Sequence, residues 1–340
     1  MYIVQVLPLI RHQICSFYNC YYRSIEGMLM AKNIKLEDIL NDLQLKKTDQ
    51  DGINTVAVIG LGIMGQGIAH TIAAAGIEVI AIEKNEERLN FGLNSLKESI
   101  DHEIQRWTLT KSEKNAILSR IHPTVDLKQA KNCDIVIEAV DEDLQLKKSI
   151  FETLDELCNP ETIFISNTST LSLSKLAVAI KRSDKLIGLH FLNPVPKVPL
   201  VEVVRALKTS DYTFATVEKF AARLGKTAVE VFEYPGFVTT RVIIPLLNEA
   251  MHILMEGVAS ADGIDTAMRL GYNFQYGPLE LADMMGLDEV LAWMESLSHE
   301  LGEAKYRPCP LLRKMVREGK LGKKSGEGFF RYNEQGRINY

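Results

Sequence analysis

Residues 53–77 contain no Asp, Glu, Lys or Arg, yet they carry glycines at positions 60, 62, 65, 67 and 76. Length alone would let such a stretch cross a bilayer, but the glycines divide it. A β-branched run, Thr55-Val56-Ala57-Val58-Ile59, leads into the turn Gly60-Leu61-Gly62-Ile63-Met64-Gly65, and an alanine-rich run follows. The spacing predicts a buried strand, a tight turn and a helix, not a membrane span. At a strand–helix junction the three glycines of GxGxxG have separate uses. The first permits the turn, the second lets backbone approach a pyrophosphate, and the third lets helix and strand pack closely. Amides at the helix start then face the phosphate charge. The next predicted strand, residues 78–82, ends at Glu83, where an acid accepts hydrogen bonds from ribose hydroxyls and repels a 2'-phosphate. Lys84 beside it softens that repulsion, and the same fingerprint serves FAD. The residues therefore favour NAD while leaving NADP and flavin open.

The remaining pattern places this unit in a larger α/β fold. Strands are expected near 55–59, 78–82, 134–138, 162–166, 185–190, 199–204 and 227–231. Ile135-Val136-Ile137 and Thr162-Ile163-Phe164-Ile165 show no two-residue alternation, so helices should cover both their faces, as in a parallel sheet. The fold class is α/β, a Rossmann-like doubly wound sheet spanning residues 54–234. After Tyr234-Pro235-Gly236 the pattern turns helical, with helices expected near 262–270, 278–284, 287–301 and 309–318. Residues 235–340 are accordingly read as an all-α C-terminal domain. Ile243, Leu246, Leu247, Ala250 and Leu254, with Ile244, Met251 and Ile253, make one helix apolar nearly all round, which predicts burial against a second subunit and hence a homodimer. Residues 1–53 read as an N-terminal extension, with a short amphipathic helix carrying Leu36, Ile39, Leu40 and Leu43.

Composition narrows the chemistry. Thirty-nine Lys and Arg against 44 Asp and Glu, without a polybasic run interleaved with aromatics, argue against a nucleic-acid groove. Cys15, Cys20, Cys133, Cys158 and Cys309 are scattered and never spaced as CxxC, and the seven histidines form no HExxH pattern. No metal site or disulfide framework is expected, and the compartment should be reducing. Residues 1–22 lack acidic residues and also lack the charged start and small-residue exit of an export signal. The expected location is cytoplasmic, with a mitochondrial matrix as the alternative, and no membrane association is expected.

His190 closes the strand expected at 185–190, at the edge where open α/β sheets place ligands. Glu202 is a lone charge in Leu200-Val201-Glu202-Val203-Val204, and buried carboxylates are costly unless paired. One pairing explains both. The carboxylate would hold one ring nitrogen and leave the other for proton transfer. From the residues alone, a packed histidine and an exposed glutamate remain an equal alternative.

Further motifs bear on that choice. Besides the glycine turn, the chain contains Ile137-Glu138-Ala139-Val140, Ser166-Asn167-Thr168-Ser169, Gly188-Leu189-His190-Phe191-Leu192-Asn193-Pro194-Val195-Pro196, Leu200-Val201-Glu202-Val203-Val204, Pro235-Gly236-Phe237 and Gly322-Lys323-Lys324-Ser325-Gly326-Glu327-Gly328-Phe329. In this order, over residues 54–332, the set resembles the L-3-hydroxyacyl-CoA dehydrogenase family. The resemblance implies NAD-dependent, reversible oxidation of a (3S)-3-hydroxyacyl-CoA to the 3-oxoacyl-CoA. It implies that His190 takes the proton of the 3-hydroxyl, that Glu202 orients and polarises His190, and that Ser169 and Asn193 hold the substrate oxygen and the nicotinamide. It also implies cofactor contacts at Gly60, Leu61, Gly62, Ile63, Met64, Gly65, Glu83, Glu142, Lys147 and Lys324, and acyl-CoA contacts near Ser99 and Arg106. One departure stands out: where the family commonly has Asn before the arginine of the Pro-Gly-Phe segment, this chain has Thr240. Threonine keeps a hydroxyl but loses the amide's paired donor and acceptor. Thr240 is still expected to line the thioester pocket.

Two other readings fit parts of the pattern. A dehydrogenase of free 3-hydroxyacids shares the glycine turn, but its hallmark lysine is missing from residues 240–256. A non-catalytic, crystallin-like relative would not need His190, Glu202, Ser169 and Asn193 together.

Overall fold

The computed structural model describes residues 52–105, 109–333 and 335–339. The amphipathic helix expected within residues 1–53 lies outside them. From β1 (Thr55–Ile59) the chain enters α1 (Ile63–Ala74) and returns as β2 (Glu78–Ile82). It continues through α2 (Glu86–Gln105), α3 (Lys111–Ser119), β3 (Ile121–Thr124), β4 (Ile135–Glu138), α4 (Leu144–Leu157), β5 (Ile163–Ser166) and α5 (Leu173–Ala177). Then come β6 (Leu186–Phe191), β7 (Leu200–Arg205), α6 (Asp211–Arg223) and β8 (Thr227–Phe232). The eight strands form one sheet in the order β3-β2-β1-β4-β5-β6-β7-β8.

Alternate residues of β1 explain the layering. Val56 and Val58 pack with Ile68 and Ile72 of α1, Leu96 of α2 and Phe220 of α6 on one face. Ala57 and Ile59 pack with Phe151 and Leu154 of α4 and Leu173 of α5 on the other. Both faces are dry, so the central strands show apolar runs and no alternation.

Two features differ from the sequence expectation. β3 was not anticipated, because Ile121-His122-Pro123-Thr124 lacks the composition of a strand. It pairs only with β2, at the sheet edge, where a proline missing its N–H disrupts no second ladder. The sheet is also not wholly parallel, since β6 and β7 run antiparallel, with His190 directly opposite Glu202.

The helical domain follows as α7 (Thr239–Met255), α8 (Ala261–Tyr272), α9 (Pro278–Met285), α10 (Leu287–Leu301) and α11 (Pro310–Arg317). Ile244, Leu247 and Met251 of α7 form its core with Leu279, Val290, Met294 and Leu312. Buried Asp283 of α9 accepts bonds from the amides of Phe329 and Phe330 and from the Tyr332 hydroxyl, which pins the C-terminal strap to the bundle. Among the described residues no helix is long and apolar enough to cross a membrane, and no group of three potential ligands could hold a metal ion.

Candidate active site

The glycine turn has the shape a dinucleotide requires. Gly60 sits at φ 91°, and a Cβ there would lie 2.7 Å from the Ala139 carbonyl oxygen. At Gly65 a Cβ would lie only 1.8 Å from the Gly60 carbonyl oxygen, so any side chain would force α1 off β1. Gly62, by contrast, faces open space and no side chain caps the helix behind it, leaving the first-turn amides of α1 available to an anion. Glu83 lies just past β2, and its Oε1 accepts from the Leu61 amide (2.8 Å) while Oε2 accepts from the Lys84 amide (3.0 Å). The acid thus fastens the turn it follows, and each oxygen keeps a lone pair for a ribose hydroxyl. Open backbone, free helix amides and a fixed acid in this order fit NAD.

Beside the turn, at the ends of β4 and β5, lies a cluster of buried charge. Lys147 of α4 is completely enclosed. Its Nζ donates to Glu138 Oε1 (2.6 Å) and to the Val140 carbonyl (3.3 Å), and lies 3.2 Å from Glu142 Oε2. Glu138 also accepts from the Val140 amide (2.8 Å) and the Ser166 hydroxyl (2.7 Å). Glu142 Oε1 receives the Thr168 hydroxyl, the Ser169 and Thr170 amides (3.1 Å each) and the Thr170 hydroxyl (3.2 Å). Burial lifts the Glu138 carboxyl above the usual range despite Lys147. Burial pushes Glu142 the same way, but Lys147 and the Thr168 and Thr170 donors outweigh it and hold its carboxyl below that range. Lys147, expected among the cofactor contacts, has an ammonium with no accessible surface. It supports Glu142, whose side chain is about a third exposed.

At the end of β6, His190 Nδ1 lies 2.6 Å from Glu202 Oε2. Burial raises the Glu202 carboxyl, but the hydrogen bond from His190 and those from Thr239 prevail and keep it below the ordinary range. An ionised carboxylate can only accept, so Nδ1 carries a proton, and the neutral form of the ring would present its lone pair at Nε2. No hydrogen bond among the described residues engages Nε2, and 7 % of the side chain stays accessible. The Phe237 ring packs against the imidazole with centroids 5.6 Å apart. Asn167, just past β5, accepts from the Phe191 amide (3.1 Å) and so ties the ends of β5 and β6 together.

The other expected residues fall as follows. Ser169 is half-buried with its amide on Glu142, and Asn193 is exposed just beyond β6. Leu61 is buried, Ile63 is 73 % exposed at the start of α1, and Met64 is half-buried. Ser99 is exposed on α2, while Arg106 lies outside the described residues. Thr240 is buried in the first turn of α7. Lys324 is in the helical domain, where its Nζ pairs with Asp288 at 2.6 Å. Glu138 and Thr239 were overlooked. A charge interrupting an aliphatic strand identified Glu202, and the same signal was present at Glu138.

Comparison with known proteins agrees with this geometry. The model of the 3-hydroxyacyl-CoA dehydrogenase NAD-binding domain matches residues 55–234, and that of the family's C-terminal domain matches residues 236–332. The chain belongs to the 3-hydroxyacyl-CoA dehydrogenase family. Within this family it is 47% identical over 283 residues to a probable 3-hydroxybutyryl-CoA dehydrogenase of Bacillus subtilis, covering 83% of this chain and 99% of the relative. A probable 3-hydroxybutyryl-CoA dehydrogenase of Deinococcus radiodurans is 46% identical over 275 residues, covering 81% and 99%. Among solved structures, the (S)-3-hydroxybutyryl-CoA dehydrogenase of Ralstonia eutropha superposes with a TM-score of 0.77 at 43% identity, covering 83% of this chain and all of that one. As a 3-hydroxyacyl-CoA dehydrogenase family member the chain is an NAD-dependent dehydrogenase.

Proposed function

We propose that this protein interconverts (3S)-3-hydroxyacyl-CoA and 3-oxoacyl-CoA with NAD, and that His190 exchanges the proton of the 3-hydroxyl. The observation that carries this reading is the imidazole fixed through Nδ1 by an ionised carboxylate, with Nε2 left available, at the ligand-binding edge of a dinucleotide-type sheet. Bound NAD supplies the acceptor for the hydride that leaves C3. Nε2 takes the hydroxyl proton as the C3–O bond becomes a carbonyl, and in the reverse direction it returns that proton. Glu202 holds the tautomer and stabilises the imidazolium that forms. Ser169 and Asn193 supply polar groups for the substrate oxygen and the nicotinamide. Glu142, held in place by Lys147, completes the cofactor side together with Lys324, and Ser99 and Arg106 are assigned to the CoA moiety. Thr240, buried in the first turn of α7, is assigned to the thioester pocket.

The assay that tests the reading follows NADH oxidation with acetoacetyl-CoA or free acetoacetate, in wild type and His190→Ala. Turnover of the thioester alone, lost in the variant by roughly 10²–10⁴-fold, is expected. Preference for the free acid, or no turnover at all, would overturn it in favour of a hydroxyacid dehydrogenase or a non-catalytic relative. We also propose a homodimer joined through the helical domain, where Val242, Leu270 and Tyr272 are largely exposed; a monomer in sedimentation would refute this. Cys133, Cys158 and Cys309 are buried free thiols, which supports a reducing compartment such as the cytoplasm.

A further inference from the structure

The carboxylate that orients His190 is itself held by the first turn of the helical domain. Glu202 Oε1 accepts from the amides of Val238 (3.0 Å) and Thr239 (2.9 Å). Its Oε2, which holds His190 at 2.6 Å, also accepts from the Thr239 hydroxyl at 2.9 Å. The backbone amides would be present whatever the side chain at position 239, but the hydroxyl is specific to threonine or serine. It binds the oxygen that faces the imidazole.

We propose that Thr239 is a positioning residue for the dyad: its hydroxyl fixes the Glu202 carboxylate and shares the oxygen that holds His190, so the first turn of α7 sets how tightly the imidazole keeps a proton. This rests on the reading of His190 as the proton-exchanging group. A donor on Oε2 withdraws negative charge from that oxygen, and charge withdrawn is not available to an imidazolium. Removing the hydroxyl therefore makes His190 more basic and leaves the carboxylate freer to rotate. The groups around the ring allow this effect to be isolated. Glu202 is the charged partner on β7, and the segment before α7 contributes the Phe237 ring. Charged groups on other segments of the sheet and on α7 have their own partners, Glu233 with Ser172 and Ser174, Arg241 over the Tyr234 ring at 4.4 Å, and Glu138 with Lys147.

The test is an NMR titration of the His190 ring in wild type, Thr239→Val and Thr239→Ser, with the pH profile of kcat/KM for acetoacetyl-CoA reduction measured on the same samples. In Thr239→Val the His190 midpoint should rise by roughly half a unit or more, and the corresponding limb of the profile should move with it. Thr239→Ser should restore both. Coincident titrations in wild type and a folded Thr239→Val overturn the proposal, as does a shift that serine fails to reverse. If valine prevents folding, Thr239→Ala provides the same comparison. Wild type without turnover would defeat the proposed function, whereas the ring titration would still decide the role of Thr239.

Discussion

Two buried acidic clusters lie on strands of one sheet, and they are built on opposite plans. Around Glu138, the cation Lys147 and the acceptors Glu138 and Glu142 satisfy one another inside the protein, and the ammonium has no accessible surface. Around Glu202, both oxygens of the carboxylate are engaged, but no described residue bonds Nε2 of its partner His190, whose side chain stays slightly accessible. The first cluster is closed on itself, and the second leaves one ring nitrogen without a partner among the described residues. Burying charge is costly in both places; what differs is whether the compensation is complete. A scaffold can be fully satisfied, while a group that must exchange protons needs one unfilled position.

The contrast can be broken by changing each cluster separately. Glu202→Gln leaves the shape almost intact, but the backbone amides claim the amide oxygen and its NH2 faces Nδ1. That forces the tautomer with the proton on Nε2, so turnover should fall on the order of 10²–10⁴-fold with little change in urea stability. A large loss of stability instead would show that this cluster, too, is scaffold. Lys147→Met should do the opposite. It strands two carboxylates and should lower the unfolding free energy by about 3–5 kcal/mol, measured by urea denaturation, with the surviving folded enzyme weaker for NAD.

The pH dependence sharpens the comparison further. Glu202 has a depressed folded-state pKa, so the stability it contributes is present above its unfolded value of about 4.5 and is lost as pH falls through the folded value. Glu138 is shifted upward, so its contribution has the reverse sign. Asp283 in the helical domain, buried and bonded to no cation among the described residues, calibrates the effect. Burial raises its carboxyl from 3.8 to about 6. Its folded state therefore holds the proton more tightly, and its contribution to stability, complete below the unfolded value, declines as pH rises through about 6. A carboxyl ¹³C titration of Asp283 should show a midpoint near 6. A midpoint near 4 would remove this smallest of the expected effects.

Much of this arrangement was legible along the chain because its signals are local. The glycine turn, Glu83 and the apolar runs of β1, β4 and β5 each report a constraint within a few residues. β3 escaped because an edge strand paired on one side tolerates His122 and Pro123. That Lys147 is enclosed could not be read along the chain, since exposure depends on what α4 packs against. Thr240 departs from the family pattern, while the hydroxyl that reaches the dyad belongs to its neighbour Thr239. Which of two adjacent threonines points at Glu202 depends on how α7 enters the bundle.

By itself the sequence determined the class of fold, the nucleotide turn and the residue types available for proton transfer, because periodicity and turn chemistry act over short distances. Only the tertiary structure decided that β6 and β7 run antiparallel with His190 opposite Glu202, that Lys147 is sealed, and that α7 begins on the Glu202 carboxylate. Those facts depend on register and burial among segments far apart in the chain, and hydrogen-bond satisfaction is settled only when such segments meet.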